Sequence, residues 1–377
     1  MQFLSKAALF ALLPLVTAGA LVDRQAHVAK TVTLANGQVV DWVHRNSQGS
    51  VAQPPPHQPA GMNISVIAEN HIFADHQKGP HGTVPFLRSS GKEMPLKVPP
   101  RGQSSSRITS RQYKDRHWYA SSAQGGDNHG TSGTFSMFKA FVQNGNDFSL
   151  LQTAVERNGI PGIGGSGLQT IEAGWINYPS QRANPHLFTF FTTNGHQEYA
   201  DNICAWNTDY AGWVQSDNTY YPGMELTPFS VVDGEQHDLA IAYELFDGNW
   251  WFNVNGKWIG YYPANLFTRN GNSADITLES KSDQVNWYGE IYQSEDEMTT
   301  TDMGSGHYAN EGRGKAAYIR NIAVVGTDGQ AFNYDGSNGL GVDDANRYSL
   351  EQHFNSGEDW GSYFYLGGPG AGGVIDG

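Results

Sequence analysis

Apolar and polar residues alternate with a period of two through much of the chain, and helical spacing is nearly absent. The runs Leu187 to Thr192, Leu239 to Phe246, Trp250 to Val254, Trp258 to Tyr262 and Asp275 to Glu279 read as strands. Asp247-Gly248-Asn249 and Asn255-Gly256 supply tight turns between neighbours, because these residues accept the left-handed backbone that a two-residue hairpin needs. Phe148 to Arg157 is the one helix candidate, Pro161 to Gly167 reads as a flexible loop, and the glycine-rich tail from Leu366 is expected to fray. Many strands close in sequence, with no strand–helix alternation, predict an all-β protein built as an antiparallel, jelly-roll-like β-sandwich.

Two of these strand-like stretches carry a lone carboxylate. In Gln169 to Trp175 the alternation puts Thr170, Glu172, Gly174 and Ile176 on one face and Ile171, Ala173 and Trp175 on the other. Val285 to Tyr292 repeats the theme around Glu290. A carboxyl group desolvated among apolar neighbours holds its proton into the mildly acidic range. If the fold brings Glu172 and Glu290 together, they cannot both ionise cheaply, so one can act as general acid and the other as general base. Carboxylate chemistry alone leaves open whether such a pair hydrolyses peptides or glycosides. An aromatic-rich sandwich that binds carbohydrate without catalysis is a third possibility. Trp175, Trp287 and Tyr288 are candidate aromatic walls of a substrate pocket.

Composition supports the β reading and narrows the partners. Of 377 residues, 45 are Gly and 12% are aromatic, while only 16% are charged. The net charge of −14 is unevenly spread: 12 Lys and Arg against 6 Asp and Glu up to Asp115, then 11 against 31. A basic front part and an acidic body predict mutual attraction, and an acidic body repels nucleic acid. Replacing body acids away from the cleft by amides is therefore expected to slow acid-driven separation of the two parts. Cys204 stands alone, so no intrachain disulfide forms, and a buried small hydrophobe is its expected role.

The chain divides into three. Met1 to Ala20 has the basic start, short apolar run and small-residue end of a secretory signal peptide; the run is too short to span a membrane. Residues 21–115 carry Pro54-Pro55-Pro56, Pro99-Pro100 and a serine-rich run, with enough apolar residues between Val39 and Leu87 to dock on the rest. They read as a propeptide, with a glycosylation sequon at Asn63 and an exposed basic linker from Arg107 through Arg111 and Lys114 to Arg116. Residues 116–377 form the body. A secreted monomer without membrane attachment is expected.

No HExxH zinc motif or phosphate-binding loop is present, and Gly164-Gly165-Ser166-Gly167-Leu168 lacks the final glycine of a nucleophile elbow. What remains is a set of fragments in one order: Gly82-Thr83-Val84-Pro85, Glu172-Ala173-Gly174-Trp175, Pro185 to Phe190, Gly248-Asn249-Trp250-Trp251 and Ile259 to Pro263. Leu266-Phe267, Trp287-Tyr288-Gly289-Glu290, Met303 to His307 and Gly314 to Tyr318 complete it. This set resembles the neprosin family of glutamic prolyl endopeptidases, including its activation peptide. The resemblance implies a secreted zymogen whose N-terminal peptide inhibits it and is lost in acid. It implies a β-sandwich whose concave face carries the catalytic pair, here Glu172 and Glu290. It also implies cleavage after proline in proline-containing peptides, with no metal or other cofactor. The plant members' cysteine pair has no second cysteine here, Tyr210 standing in its place.

Overall fold

The computed structural model describes residues 27–59, 62, 73–89, 91, 94–97, 100, 113–164, 167–354 and 359–377. Strands β1 (Val28–Thr33), β2 (Val39–His44) and β3 (Thr83–Leu87) make a separate antiparallel sheet in the front part, in the order β1-β2-β3. Everything else belongs to one large antiparallel system. It begins with β4 (Arg116–Ser136), β5 (Phe148–Arg157), β6 (Gln169–Asn177), β7 (His186–Thr192), β8 (Cys204–Trp206) and β9 (Val214–Gln215). It continues through β10 (Asp238–Phe246), β11 (Asn249–Val254), β12 (Lys257–Pro263), β13 (Ser282–Gln293) and β14 (Ala317–Gly326). It ends with β15 (Ala331–Asn333), β16 (Leu340–Val342), β17 (Ser349–His353) and β18 (Tyr363–Gly367). The order across the sheet is β8-β7-β6-β5-β13-β4-β10-β11-β12-β9, with β14, β16 and their neighbours joined off that path. The all-β sandwich expected from the alternation is the fold observed.

The long strand β4 closes the sandwich by serving both layers. Its first half lies between β13 and β16, and its second half between β10 and β14. Glycines mark the passage: Gly126 has φ +125°, and Gly130 has φ +146° with the Tyr243 carbonyl only 2.0 Å from where a Cβ would sit. Only glycine allows that approach. Gly130→Ala is therefore expected to destabilise the fold by more than about 3 kcal/mol, seen as a large fall in Tm or loss of soluble chain; a Tm within two or three degrees of the parent would contradict this account of the bend.

The two layers meet through the odd-numbered faces of β5 and β6. Leu151, Val155, Ile171, Ala173 and Trp175 join Trp250, Phe252, Ile259 and Tyr262 in one buried cluster. The Trp175 indole donates to the Ser136 carbonyl at 2.8 Å, and Phe191 packs on Tyr262 with ring centroids 4.8 Å apart. The even-numbered faces are left for the opposite, concave side.

Three expectations fail here. Phe148 to Arg157 is β5, a central strand paired on both edges, rather than a helix. Asp275 to Glu279 forms a short 3₁₀ turn and bends rather than a strand; side chains serve its backbone, with Leu278 N–H donating to Gln169 at 3.2 Å and the Leu278 carbonyl accepting from Trp250 at 2.6 Å. The glycine-rich tail is packed, not frayed: Met303 N–H donates to the Gly368 carbonyl at 2.9 Å and Ala371 N–H to the Thr299 carbonyl at 2.9 Å. Of the expected basic linker, Arg116 already lies in β4, its guanidinium 4.1 Å from the Trp118 ring. Residues 101–112 lie outside the described ones, as do the leader and Asn63. Among the described residues no helix is long and apolar enough to cross a membrane.

Candidate active site

Glu172 on β6 and Glu290 on β13 reach the same concave face, and β5 between them shows how. Ala154 of β5 stands opposite Glu172, and Leu150 opposite Glu290. Gln152 sits midway, flanked by Gly174 and Tyr288. The glutamates therefore lie on a diagonal across three strands, with an amide and a phenol between them. Both are buried, 2% and 0% exposed. Gln152 Nε2 donates to Glu172 Oε2 at 2.5 Å, and the Tyr288 hydroxyl reaches the same oxygen at 3.1 Å.

Each glutamate has a histidine beside it. His117 Nδ1, from the start of β4, lies 2.6 Å from Glu290 Oε1. The His117 ring is fixed by Tyr119, Phe148 and Tyr292, whose centroids lie 5.0 to 6.3 Å away. His196 Nε2 is 3.5 Å from Glu172 Oε1, an electrostatic contact without hydrogen-bond geometry, and its ring stacks on Phe190.

A cation from the front part completes the site. Lys97 is 3% exposed; its ammonium touches Glu172 and Gln152 and lies 3.3 Å from Glu290 Oε2. It is also ringed by Phe188, Phe190, Trp206 and Tyr288, at 5.1 to 5.7 Å from each centroid. Burial alone pushes the Glu172 carboxyl up, but the Lys97 charge, with His196, outweighs it and holds the group at about 2. Burial also raises the phenols of Tyr119 and Tyr288 well above their ordinary value, and the two glutamates push in the same direction, so both stay hydrogen-bond donors. Glu156, further along β5 on the same face, is raised by burial to about 8 and is neutral in acid.

The front part meets the body elsewhere through mostly uncharged contacts. Gln38 donates to the Gly223 carbonyl and Gln48 to the Gln215 carbonyl, each at 2.8 Å, and Ala52 N–H donates to the Tyr261 hydroxyl at 3.0 Å. His57 pairs with Glu244 at 2.6 Å. The attraction expected from net charge is thus focused: the deepest of these contacts is Lys97 against the two glutamates.

The structure brings Glu172 and Glu290 to one face, as the family resemblance implied, with Tyr288 beside them. Trp175 and Trp287 are corrected: both belong to the inter-sheet cluster, because each is one residue out of phase with the cleft face on its strand. Phe188, Phe190 and Trp206 take the place assigned to them. Sequence reasoning missed Lys97, Gln152, His117 and His196. Gln152 was hidden because its strand imitates a helix, and nothing local marks His117, Lys97 or His196. Cys204 is a free, buried thiol, raised by burial to about 12 and inert, as its apolar surroundings imply.

Hydrolysis at such a place needs no covalent intermediate. One carboxyl group delivers a proton while the other takes one from water; the pair alone would serve a glycosidase as well, and the family to which the chain belongs makes it a glutamic peptidase. The family model described as Neprosin matches residues 145–369, a span that contains both glutamates, and the chain belongs to the neprosin family. Among solved structures, scytalido-glutamic peptidase with a transition-state analogue inhibitor is similar at 9% identity and a TM-score of 0.33, covering 67% of this chain and 98% of that one. SCP-B, a member of the eqolisin family of peptidases in complex with the tripeptide Ala-Ile-His, gives 8% identity and a TM-score of 0.32 over the same shares. The apo Crh5 transglycosylase gives 8% identity and a TM-score of 0.24, covering 68% of this chain and 73% of that one.

Proposed function

We propose that the chain is a secreted zymogen of an acid-acting endopeptidase that cleaves on the carboxyl side of proline. The observation that carries this reading is Lys97, a buried cation delivered by the front part onto both glutamates at once. While it is there, Glu172 is held ionised and no water can sit between the carboxylates. When it leaves, the cation that most strongly holds Glu172 ionised is gone, its carboxyl rises from about 2, and it takes the proton that a general acid needs. Glu290 keeps its contact with His117, which fixes its orientation, and serves as general base toward the attacking water. Tyr288 and the Gln152 amide face the same point and can donate to the oxyanion as it forms.

Post-proline cleavage is supported by the ring of Phe188, Phe190, Trp206 and Tyr288. Emptied of the ammonium, it is an apolar, aromatic slot beside the glutamates, suited to a compact pyrrolidine ring. The test is to acidify the full chain, offer a mixed peptide library, and map the cuts by mass spectrometry. Cuts after proline, appearing only after acid treatment, are expected; cuts without regard to proline would refute the specificity, and an unchanged library would refute the peptidase.

His117 touches no substrate in this scheme but orients Glu290. His117→Ala is expected to lower kcat by about 10²-fold with KM little changed. His117→Gln, which can still donate to the carboxylate, should recover part of the loss; equal loss in both variants would remove the positioning role.

A further inference from the structure

The concave face carries an apolar cluster that the core does not need. Phe148, Leu150, Ile176, Tyr178 and Tyr292 are buried there with Phe188, Phe190 and Trp206, separately from the inter-sheet cluster. Strand phase puts them in the rows next to the glutamates: Ile176 is opposite Leu150, which is opposite Glu290, and Phe148 is opposite Tyr292. Among the described residues, the one member of this cluster that comes from the front part is Met94, 6% exposed. Gln181 Nε2 lies 2.9 Å from its sulfur, and the Tyr199 hydroxyl, itself held by the Trp206 indole at 2.8 Å, donates to the carbonyl of Pro95 at 2.6 Å. The front part thus lays a peptide along the cleft, with one side chain in an apolar pocket, one carbonyl on a phenol, and Lys97 on the glutamates.

We infer that the pocket filled by Met94 is a side-chain subsite of the active enzyme, taking an unbranched apolar residue of the peptide substrate, with Tyr199 donating to the adjoining peptide carbonyl. The inference rests on the peptidase reading above. Removing the front part uncovers rings and aliphatic side chains beside the reacting bond, and a substrate strand is what the cleft then has to cover them. Met94 sits three positions before Lys97, so a substrate whose proline fills the aromatic slot places its fourth residue before the cut in this pocket if it runs in the same direction as the front part, or its third residue after the cut if it runs the other way. The side chain should be long and unbranched at Cβ, as is the methionine that fills the pocket here. A cavity of about 210 Å³ bordered by Met94, Tyr199, Trp206 and Tyr210 leaves room beside it.

The test uses the acid-treated full chain and internally quenched peptides with one fixed proline. Met, norleucine, Val or Asp is placed at the fourth position before the cut or the third after it. At one of these positions Met and norleucine are expected to exceed Asp in kcat/KM by about ten- to a hundred-fold, with Val between. Tyr199→Phe should lower kcat/KM several-fold for peptides that reach the pocket and leave shorter peptides unaffected. Met94→Ala combined with Ile176→Phe, whose added ring grows into the cleft rather than the core, should erase the preference while short peptides are still cut. Cleavage with no side-chain preference at either position overturns the subsite alone, and no cleavage of any peptide overturns the peptidase reading and this inference with it.

Discussion

Glu172→Gln and Glu290→Gln will each reduce peptide hydrolysis by about 10³-fold or more, measured as kcat on a proline-containing fluorogenic peptide after acid treatment. Glutamine keeps the shape and hydrogen-bonding reach of glutamate but can neither deliver nor take the proton, so the folded chain should survive both changes. The two losses should not multiply in the double variant, because the carboxylates act on one water as a unit. The pair also predicts a bell-shaped pH dependence whose limbs belong to the coupled system rather than to either residue. Retention of activity in both single variants would remove the catalytic pair altogether.

The second large effect lies at Lys97. Glu172 is held at about 2 against an ordinary value of 4.5, so the stability its ion pair lends to the docked front part is complete above 4.5 and is lost as pH falls towards 2. Lys97 and His196 share that lowering, so the part that favours the docked front part is at most roughly 3 kcal/mol over that window. Lys97→Met removes the cation and leaves two buried carboxyl groups facing each other, which share a proton instead. Full-length Lys97→Met should therefore release or lose its front part at a pH about one unit or more above the parent, followed by gel mobility after timed acid exposure. A midpoint that does not move would show that other contacts hold the front part in place.

β7, β10, β11 and β12 were legible as short aromatic-rich runs bounded by turn residues, and they fall where these signals put them. β5 was not, because it is apolar on both sides: Leu151 and Val155 enter the core while Phe148 and Leu150 line the cleft. A strand buried on both faces loses the period-two signal and imitates a helix. The glutamates were readable because each sits alone in an apolar run, and Trp175 and Trp287 misled for the same reason. Each lies three positions from its glutamate, and an odd separation along a strand means pointing to the opposite face. Lys97 could not be read at all: its environment is made by β5, β6, β7, β8 and β13, none of which is near it in sequence. The packed tail was hidden by composition. Glycines there are required by contact, since a Cβ at Gly368 would meet the Arg347 carbonyl at 2.0 Å.

The front sheet β1-β2-β3 shares no ladder with the body, while β4, the first strand after the linker, is the one that binds both layers. Shedding the leading segment therefore severs side-chain contacts but no inter-strand backbone bond of the remainder. The new amino terminus would emerge next to the most heavily bonded strand of the molecule, where it is least able to unravel. If the leading segment is shed as proposed, the cut is irreversible in covalent terms and still expected to be nearly silent in the amide exchange of the sandwich interior.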